Sequence, residues 1–167
     1  MQTISKLSFI ITIVFSALLG VDSNGQTKDT VNFPELGGKY IGQLNKKGLP
    51  DGEGTFIWNY GGRYEGHWEK GVFHGKGKRT WHTGDVYDGD WKNGQRHGTG
   101  TMTWSSGMNF NGDWKFDQMH GQGTITYSTG NKRTGKWKHD QMHGIGTLVG
   151  SDGTITKHKW YHGRMEQ

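Results

Sequence analysis

The sequence predicts an all-β protein, a single elongated antiparallel meander of stacked β-hairpins with one hairpin per 23 residues. Three observations support this fold class. Tryptophan recurs at a constant interval of 23 residues, polar and apolar residues alternate within each interval, and 30 of the 167 residues are glycine whereas only 2 are proline. A fixed interval of this length indicates a repeat architecture, and a period of two is the pattern of a strand.

Residues 1 to 23 are predicted to form a secretory signal peptide. Lys6 precedes an apolar run of 13 residues, residues 7 to 19, and small residues follow the run. A helix that spans a membrane needs about 20 apolar residues, so the run favours cleavage, after Gly20 or Ser23, over an uncleaved signal anchor. The protein is therefore expected to be secreted or periplasmic, with tethering to the membrane as the alternative.

The repeats occupy residues 40 to 155. Residues 24 to 39 precede them as a polar leader, and residues 156 to 167 follow as a partial sixth repeat that is expected to cap the C-terminal end. The repeat region holds five copies, of which the first is one residue longer than the others. The tryptophans at the constant interval are Trp68, Trp91, Trp114, Trp137 and Trp160. Two further columns with the same interval are His74, His97, His120 and His143, and Trp58, Trp81, Trp104 and Tyr127.

Each copy is predicted to form one hairpin. In the third copy Tyr87, Gly89 and Trp91 alternate with polar residues, a glycine-containing turn follows, and a second alternating run ends at Trp104. A helix is disfavoured because each glycine in a helix interior costs about 1 kcal/mol. Five hairpins therefore give ten strands.

The same three positions are predicted to be structural in the other copies. The central glycine has no side chain, and we expect neighbouring aromatic rings to lie over its bare backbone and to hold the repeats together rather than to bind flat ligands such as sugars. The predicted structural residues are Tyr64, Gly66, Trp68, Tyr87, Gly89, Trp91, Phe110, Gly112, Trp114, Gly135 and Trp137.

These copies resemble MORN repeats (membrane occupation and recognition nexus), as in the run Tyr64-Glu-Gly-His-Trp-Glu-Lys-Gly-Val-Phe-His-Gly-Lys-Gly. The resemblance covers residues 40 to 155 and the C-terminal stub. It implies an elongated, twisted sheet of hairpins that serves as a scaffold for protein contacts and self-association, and phospholipid binding is proposed for several members. The sequence departs from the family pattern at Leu44, which replaces tryptophan, and at Phe110 and Arg133, which replace the leading tyrosine.

No catalytic, cofactor-binding or metal-binding residue is predicted, and the protein is predicted not to be an enzyme. The absence of cysteine excludes disulfides, thiolate metal sites and cysteine nucleophiles. Neighbouring histidines of the His74 column would stand roughly 9.6 Å apart on the sheet, too far to share an ion. Each is expected to be a turn residue whose ring nitrogen bonds a backbone group, with a response to pH as the weaker alternative. The Gly-x-Gly pairs lack the strand, turn and helix of a nucleotide site and are interpreted as turn glycines.

The basic charge is concentrated near the C-terminus. The net charge is +5, and residues 131 to 167 contribute seven lysines and arginines against three acidic residues. One face of the predicted sheet grades from acidic to basic, and its basic end offers candidate residues for binding an acidic surface. These residues are Lys136, Lys138, Lys157 and Lys159. The simplest interpretation is a solvated face of mixed charge. A third interpretation is head-to-tail association, in which the acidic part of one molecule meets the basic end of another.

The sequence therefore predicts an exported, non-enzymatic scaffold that mediates protein–protein interaction or self-association. The expected contacts are its aromatic face and its open strand edges. The alternative is a peripheral binder of an anionic membrane or envelope surface that acts through the four lysines. A nucleic-acid partner is not expected, because the net charge is modest and export would separate the two.

Overall fold

The computed structural model describes residues 18 to 21 and 27 to 166, and the chain divides into two compact units. The first unit runs to Thr83 and also contains residues 91 to 95. The second unit contains residues 84 to 90 and the chain from Arg96 onwards. Apart from the single 3-10 turn Pro34–Leu36, the regular secondary structure of the described residues is β-strand.

The strands, numbered in chain order, form antiparallel hairpins. They are β1 (Leu18–Val21), β2 (Thr27–Phe33), β3 (Gly38–Leu44), β4 (Pro50–Trp58), β5 (Gly62–Glu69), β6 (Val72–Trp81), β7 (Val86–Lys92), β8 (Gln95–Thr103), β9 (Asn109–Lys115), β10 (Gln118–Thr126), β11 (Lys132–Lys138), β12 (Gln141–Val149), β13 (Ile155–Tyr161) and β14 (Arg164–Met165). In the first unit β1 to β6 pair consecutively. In the second unit β8 to β14 do the same. The five predicted copies supply the ten strands β3 to β12, which confirms the all-β meander of hairpins.

The turns inside the copies fit tight two-residue hairpins. Asn93 and Gly94, between β7 and β8, have φ angles of 51° and 80°. Positive φ at both central residues matches the right-handed twist of the flanking strands, and asparagine followed by glycine adopts it at little cost. Later copies use bulkier residues in the same conformation, such as Phe116 with a φ angle of 51°.

A β-bulge accompanies the glycine pairs in the second strand of the copies. In β10 the register against β9 shifts between His120 and Gly123, and Gly121 has a φ angle of 54°. Positive φ explains why the first glycine of the pair is needed, because other residues rarely adopt this conformation. The prediction that these glycines are turn residues is therefore refined, since they lie at a bulge within a strand.

The core of each unit consists of aromatic rings packed on one face of the sheet. The leading rings are fully buried, namely Tyr40, Tyr64, Tyr87 and Phe110. The Tyr87 hydroxyl donates a hydrogen bond to the carbonyl of Asp90 over 3.0 Å, so the ring lies flat along its own strand above Gly89 and Gly100. A Cβ atom on Gly100 would overlap the tyrosine hydroxyl. The expectation that rings cover bare glycine backbone is thus met in the structure.

The chain before the repeats forms strands that the sequence analysis did not predict. The predicted signal peptide lies outside the described residues except for residues 18 to 21, which form β1 and pair with β2. The predicted leader contains β2, which pairs with β3 and buries Phe33. Cleavage after Ser23 would remove β1 and leave β2 as an edge strand with unpaired backbone groups.

Replacing Gly100 by alanine tests the packing of the leading ring. We expect the Gly100→Ala variant to lose about 1–3 kcal/mol of unfolding free energy, because the added methyl group overlaps the buried Tyr87 ring. Urea denaturation measures the loss. The exposed Thr103, on the same strand, provides the control, since Thr103→Ala should stay within about 0.5 kcal/mol of the parent protein. Equal losses in both variants would contradict the packing argument.

Candidate interaction surface

Each strand has an aromatic face and a polar face. The aromatic face is the side that carries the leading rings and the constant-interval tryptophans, and the polar face is the opposite side. The constant-interval tryptophans on the aromatic face are almost wholly buried, with Trp68 4% and Trp114 3% exposed. These rings pack between repeats, and their flat surfaces are not open to a ligand.

The tryptophan indoles link successive copies through hydrogen bonds. The indole N–H of Trp114 donates to the carbonyl of Gly100 over 3.0 Å. The same bond joins Trp68 to Gly54, Trp91 to Gly77, and Trp137 to Gly123, at 3.1, 2.9 and 3.0 Å. In the second unit the Trp114 ring also meets the rings of Tyr87 and Phe110 edge to face, with centroids 5.4 and 5.3 Å apart. Edge-to-face geometry is the favoured arrangement of aromatic pairs.

A second aromatic column on the same face is only half buried. In the first unit the Arg79 guanidinium lies between two of its rings, 4.3 Å from the centroid of Trp58 and 5.0 Å from that of Trp81. Tyr60 continues from Trp58, and its side chain is 58% exposed. We call Trp58, Tyr60, Arg79 and Trp81 the arginine–aromatic surface.

Arginine, tryptophan and tyrosine are the residue types that dominate binding energy at protein interfaces. Trp58 and Trp81 belong to a column that was predicted from the sequence, whereas Arg79 was not predicted. The sequence contained one signal for Arg79: it stands at a position where other copies have the apolar residues Phe56, Met102 and Ile125.

The second unit contains a groove of about 610 Å³ whose lining comes from the fourth and fifth copies and the start of the partial sixth. In the fifth copy Arg133 replaces the leading aromatic ring, and the Met142 methyl group takes the space above Gly146. The Arg133 guanidinium lies 5.3 Å from the Tyr127 ring centroid and 5.2 Å from that of Trp160. The departure of Arg133 from the family pattern therefore changes the local packing. The groove is lined by Tyr127, Lys132, Arg133, Leu148, Asp152 and Thr156, among others.

The structure places the four candidate lysines on one face. Lys136 and Lys138 alternate with buried Trp137 on β11, and Lys157 and Lys159 alternate with buried Trp160 on β13, so all four belong to the polar face. Strand β12 separates the two pairs.

Lys159 differs from the other three lysines because it is paired. Its ammonium group lies 2.8 Å from the Glu166 carboxylate, and this hydrogen bond raises the pKa of Lys159. Two isoleucines share the polar face with the lysines, since Ile145 lies opposite Lys159 in register and Ile155 begins the same strand. Their side chains are 74% and 66% exposed. The basic end of this face is therefore also apolar.

The acidic part of the polar face has a structural role that the sequence analysis did not foresee. The Asp90 carboxylate accepts a hydrogen bond from the backbone N–H of Thr99 over 2.8 Å, and Asp113 accepts one from Gln122 over 2.7 Å. Both N–H groups belong to the glycine bulges. Asp90 and Asp113 therefore satisfy backbone donors, so the acidic part of the charge gradient is only partly a free surface.

The histidine column does not behave as the sequence analysis expected. The Nδ1 atoms of His74 and His97 are buried and make no hydrogen bond within the part of the chain that the structure describes. His74 Nδ1 lies 3.3 Å from a Glu69 carboxylate oxygen, but not in hydrogen-bonding geometry. The predicted bond to a backbone group is therefore not made by the Nδ1 atom of either ring. Across residues 18 to 21 and 27 to 166, no group of three or more histidines or acidic residues is arranged to hold a metal ion.

Burial shifts the pKa values of the leading tyrosines. Removal from water raises the pKa of Tyr40, Tyr64 and Tyr87 well above the ordinary value of 10.0. The nearby Glu53 carboxylate raises the pKa of Tyr40 and Tyr64 further, whereas the Arg96 guanidinium opposes the rise at Tyr87. These hydroxyls therefore stay protonated hydrogen-bond donors at neutral pH.

The hairpins are antiparallel and repeated. The first four copies have an aromatic ring over a glycine pair, and the second to fifth have an indole bonded to the preceding copy, so together they define a β-hairpin repeat protein. A sequence profile of the MORN repeat matches residues 40–63, 64–86, 87–108, 110–132 and 134–155. The chain belongs to the MORN repeat family.

A comparison with curated proteins finds no match. Among solved structures, the chain is similar to the TCP domain of SAS-4 (dCPAP) of Drosophila melanogaster, solved in complex with a proline-rich motif of Ana2 (dSTIL). The two share 10% sequence identity and a TM-score of 0.45, over 88% of this chain and 92% of that one. Among the described residues, no helix is long and apolar enough to cross a membrane.

The indole hydrogen bond can be isolated by comparing two tryptophans of the second unit. Trp114 donates to Gly100, whereas the Trp160 indole nitrogen is buried without a partner among the described residues. We expect Trp114→Phe to lower the unfolding free energy by about 1–3 kcal/mol more than Trp160→Phe does, because only the first change strands a buried carbonyl. Urea denaturation of both variants measures the difference. Equal losses would show that ring volume alone matters.

The raised tyrosine pKa values predict alkaline instability. Because the folded pKa lies above the unfolded value of 10.0, the contribution of these tyrosines is constant below about pH 10 and is lost as the pH rises further. Melting temperatures measured from pH 8 to 11.5 should therefore fall above about pH 10. A protein with Tyr40, Tyr64 and Tyr87 all changed to phenylalanine, the residue found at Phe110, should show a smaller decline. An unchanged slope in that variant would count against the argument.

Proposed function

We propose that this chain is an exported, non-enzymatic repeat scaffold that binds a protein partner or a second copy of itself. The observation that carries the proposal is the arginine–aromatic surface of the first unit. Its rings are half buried or exposed, unlike the leading rings, so they are open to a partner while the sheet beneath holds them in place. Membership of the MORN repeat family supports a scaffold role.

The chemistry of this surface suits a protein partner. Arg79 is held against two indole rings, so the surface offers an ordered arrangement of the residue types that contribute most to binding at protein interfaces. Large rings that are already ordered lose little conformational freedom on binding. The expected partner surface is therefore largely apolar.

Export is supported by the order of residues at the N-terminus, a lysine followed by a short apolar run and small residues. After cleavage, β2 would be an open edge that offers backbone groups to a further strand. The mature protein would then have two contact regions in its first unit, the edge of β2 and the arginine–aromatic surface.

Site-specific photo-crosslinking tests the scaffold proposal. A photoreactive phenylalanine analogue placed at Trp81 should capture one defined species in the native compartment, either a partner or a second copy. The same analogue at Lys78, on the polar face of the same strand, should not capture it. Arg79→Ala should reduce capture from a second photoreactive position at Tyr60. Equal capture from positions 78 and 81, or no crosslinked product from either, would contradict the proposal.

A second candidate function is docking on an anionic membrane or envelope surface. It is supported by the polar face of the second unit, where exposed Ile145 and Ile155 lie among the lysines. A basic and apolar surface combines electrostatic attraction with burial of apolar side chains, as interfacial binding requires. Lys136, Lys138 and Lys157 have no ion-pair partner among the described residues and supply most of this attraction.

Vesicle co-sedimentation tests this second candidate. Because each lysine near an anionic surface contributes about 1 kcal/mol, changing Lys136, Lys138 and Lys157 to glutamine should weaken binding to phosphatidylserine vesicles about a hundredfold. The matched control changes three exposed lysines of the first unit, Lys46, Lys47 and Lys78, and should leave binding nearly intact. Binding that survives both the C-terminal triple change and 0.5 M salt would exclude the electrostatic mechanism.

A further inference from the structure

The groove in the second unit lies where the aromatic rings of the repeat pattern stop. Three of its lining residues hold positions at which earlier copies carry a ring. Arg133 and Thr156 hold the leading position of the fifth and sixth copies, and Gly150 holds the position that Tyr127 has in the copy before. The groove of about 610 Å³ therefore opens at the place where these three rings are missing.

The loss of these rings does not make the groove polar. A copy that only capped the end of a repeat array would turn a polar surface to water. Instead Tyr127, Leu148 and Val149 line the groove, and each is only half buried. Pockets that bind ligands are concave and largely apolar, contain a few polar groups, and have volumes of about 300–1,000 Å³. The groove has this composition and this size.

Arg133 gives the groove an ordered positive charge. Its guanidinium lies between the rings of Tyr127 and Trp160, 5.3 and 5.2 Å from their centroids, which is within the range of cation–π contacts. These contacts hold the side chain in place. Within the part of the chain that the structure describes, Arg133 makes no ion pair. An ordered guanidinium without an ion-pair partner, beside apolar walls, is suited to bind a carboxylate.

The other charged groups of the groove leave an excess of positive charge. Lys132 is exposed and adds a second cation. The Asp152 carboxylate accepts a hydrogen bond from the backbone N–H of Thr154 over 2.9 Å, and this bond lowers the pKa of Asp152. Two cations therefore face one carboxylate that already has a partner in its own turn, so the groove is complementary to an anionic group.

The missing rings and the unpaired cation together define the chemistry of a ligand. An aromatic side chain can take one of the empty ring positions and pack against Tyr127, while a carboxylate beside it pairs with Arg133. Ser128, Thr129 and Thr154 belong to the two connections that border the groove and supply hydroxyl groups there. Hydroxyl groups both donate and accept hydrogen bonds, which suits the backbone amides of an extended chain.

We propose that this groove binds a peptide segment of another protein that carries an aromatic side chain beside a carboxylate. The ring replaces those that the fifth and sixth copies lack, and the carboxylate pairs with the Arg133 guanidinium. The site lies wholly in the second unit. It contains no residue of the arginine–aromatic surface and none of the four candidate lysines, so its test does not depend on the functions proposed for those residues.

Isothermal titration calorimetry of the purified protein with short peptides tests the proposal. The probe is acetyl-Gly-Phe-Glu-Gly-amide, with the order Glu-Phe as a second form, and matched peptides replace glutamate by glutamine or phenylalanine by alanine. We expect the tighter of the two forms to bind with a dissociation constant of about 10–100 µM. Each replacement should weaken its binding about five- to tenfold, because one removes the charge and the other the buried ring.

Two variants at Arg133 separate the charge from the empty space. Arg133→Gln should remove the discrimination between glutamate and glutamine peptides but keep the preference for phenylalanine. Arg133→Phe should bind no peptide detectably, because it removes the cation and returns a ring to the leading position. The fourth copy shows that the fold accepts this change, since Phe110 is buried there with Met119 at the position that corresponds to Met142.

The matched control is Arg164→Gln, at an exposed arginine of β14 in the same unit, and it should bind the probe as the parent protein does. Equal affinity of the parent protein for the glutamate and glutamine peptides, or discrimination that persists in Arg133→Gln, would overturn the proposal. Binding of N-acetylphenylalanine as tight as that of the probe would also overturn it, because the groove would then take a free aromatic acid.

Discussion

The structure depends on the contact between an aromatic ring and a strand that has no side chain beneath it. The leading ring lies along its own strand over two facing glycines, such as Gly66 and Gly77, whose Cα atoms approach too closely for any larger residue. Because the two glycines approach so closely, the tryptophan of the next copy, Trp91, also lies over them. Its indole N–H donates a hydrogen bond to the carbonyl of Gly77 in the preceding copy. Glycine is therefore abundant because, in the described part of the chain, the rings of the core lie on strand backbone that has no side chain beneath them.

This arrangement answers a problem that a single sheet normally faces. A sheet with one apolar face must cover it, usually with a helix or another sheet. Here the rings cover the sheet and one another, so the leading tyrosines are completely buried among the described residues alone. The consequence for function is a division of labour between two aromatic columns. The leading rings and constant-interval tryptophans stabilise the fold, and the half-buried column of Trp58 and Trp81 remains available for contacts.

Much of the fold could be predicted because few other residues can replace the glycines and tryptophans that recur every 23 positions. Only glycine fits beneath the rings, and tryptophan supplies the indole donor, so the hairpin of each copy and the packing of Tyr87 on its strand follow from the sequence. Strand β2 could not be predicted, since its alternation is short and polar and its partner is defined only by the fold. The hydrogen bonds from the Asp90 and Asp113 carboxylates to the backbone of the bulges could not be predicted either. In the sequence, such an acidic residue on an exposed strand face looks like ordinary surface charge.

The candidate site was harder to predict because it arises where columns change their residues. Arg79 stands in an apolar column, and its effect depends on the distance between two rings that sequence spacing does not give. By contrast, the four lysines were placed on one face correctly, since alternation with the buried Trp137 and Trp160 decides it.

Hydrogen exchange of the indole N–H groups, followed by NMR, tests the central claim most directly. If the tryptophans fasten each copy to the one before, the indole protons of Trp68, Trp91, Trp114 and Trp137 should exchange only through unfolding. Those of the half-buried Trp58, Trp81 and Trp104 should then exchange many times faster. Similar and rapid exchange of all seven would contradict the account, because the core would lack the bonds from which the repeats are assembled.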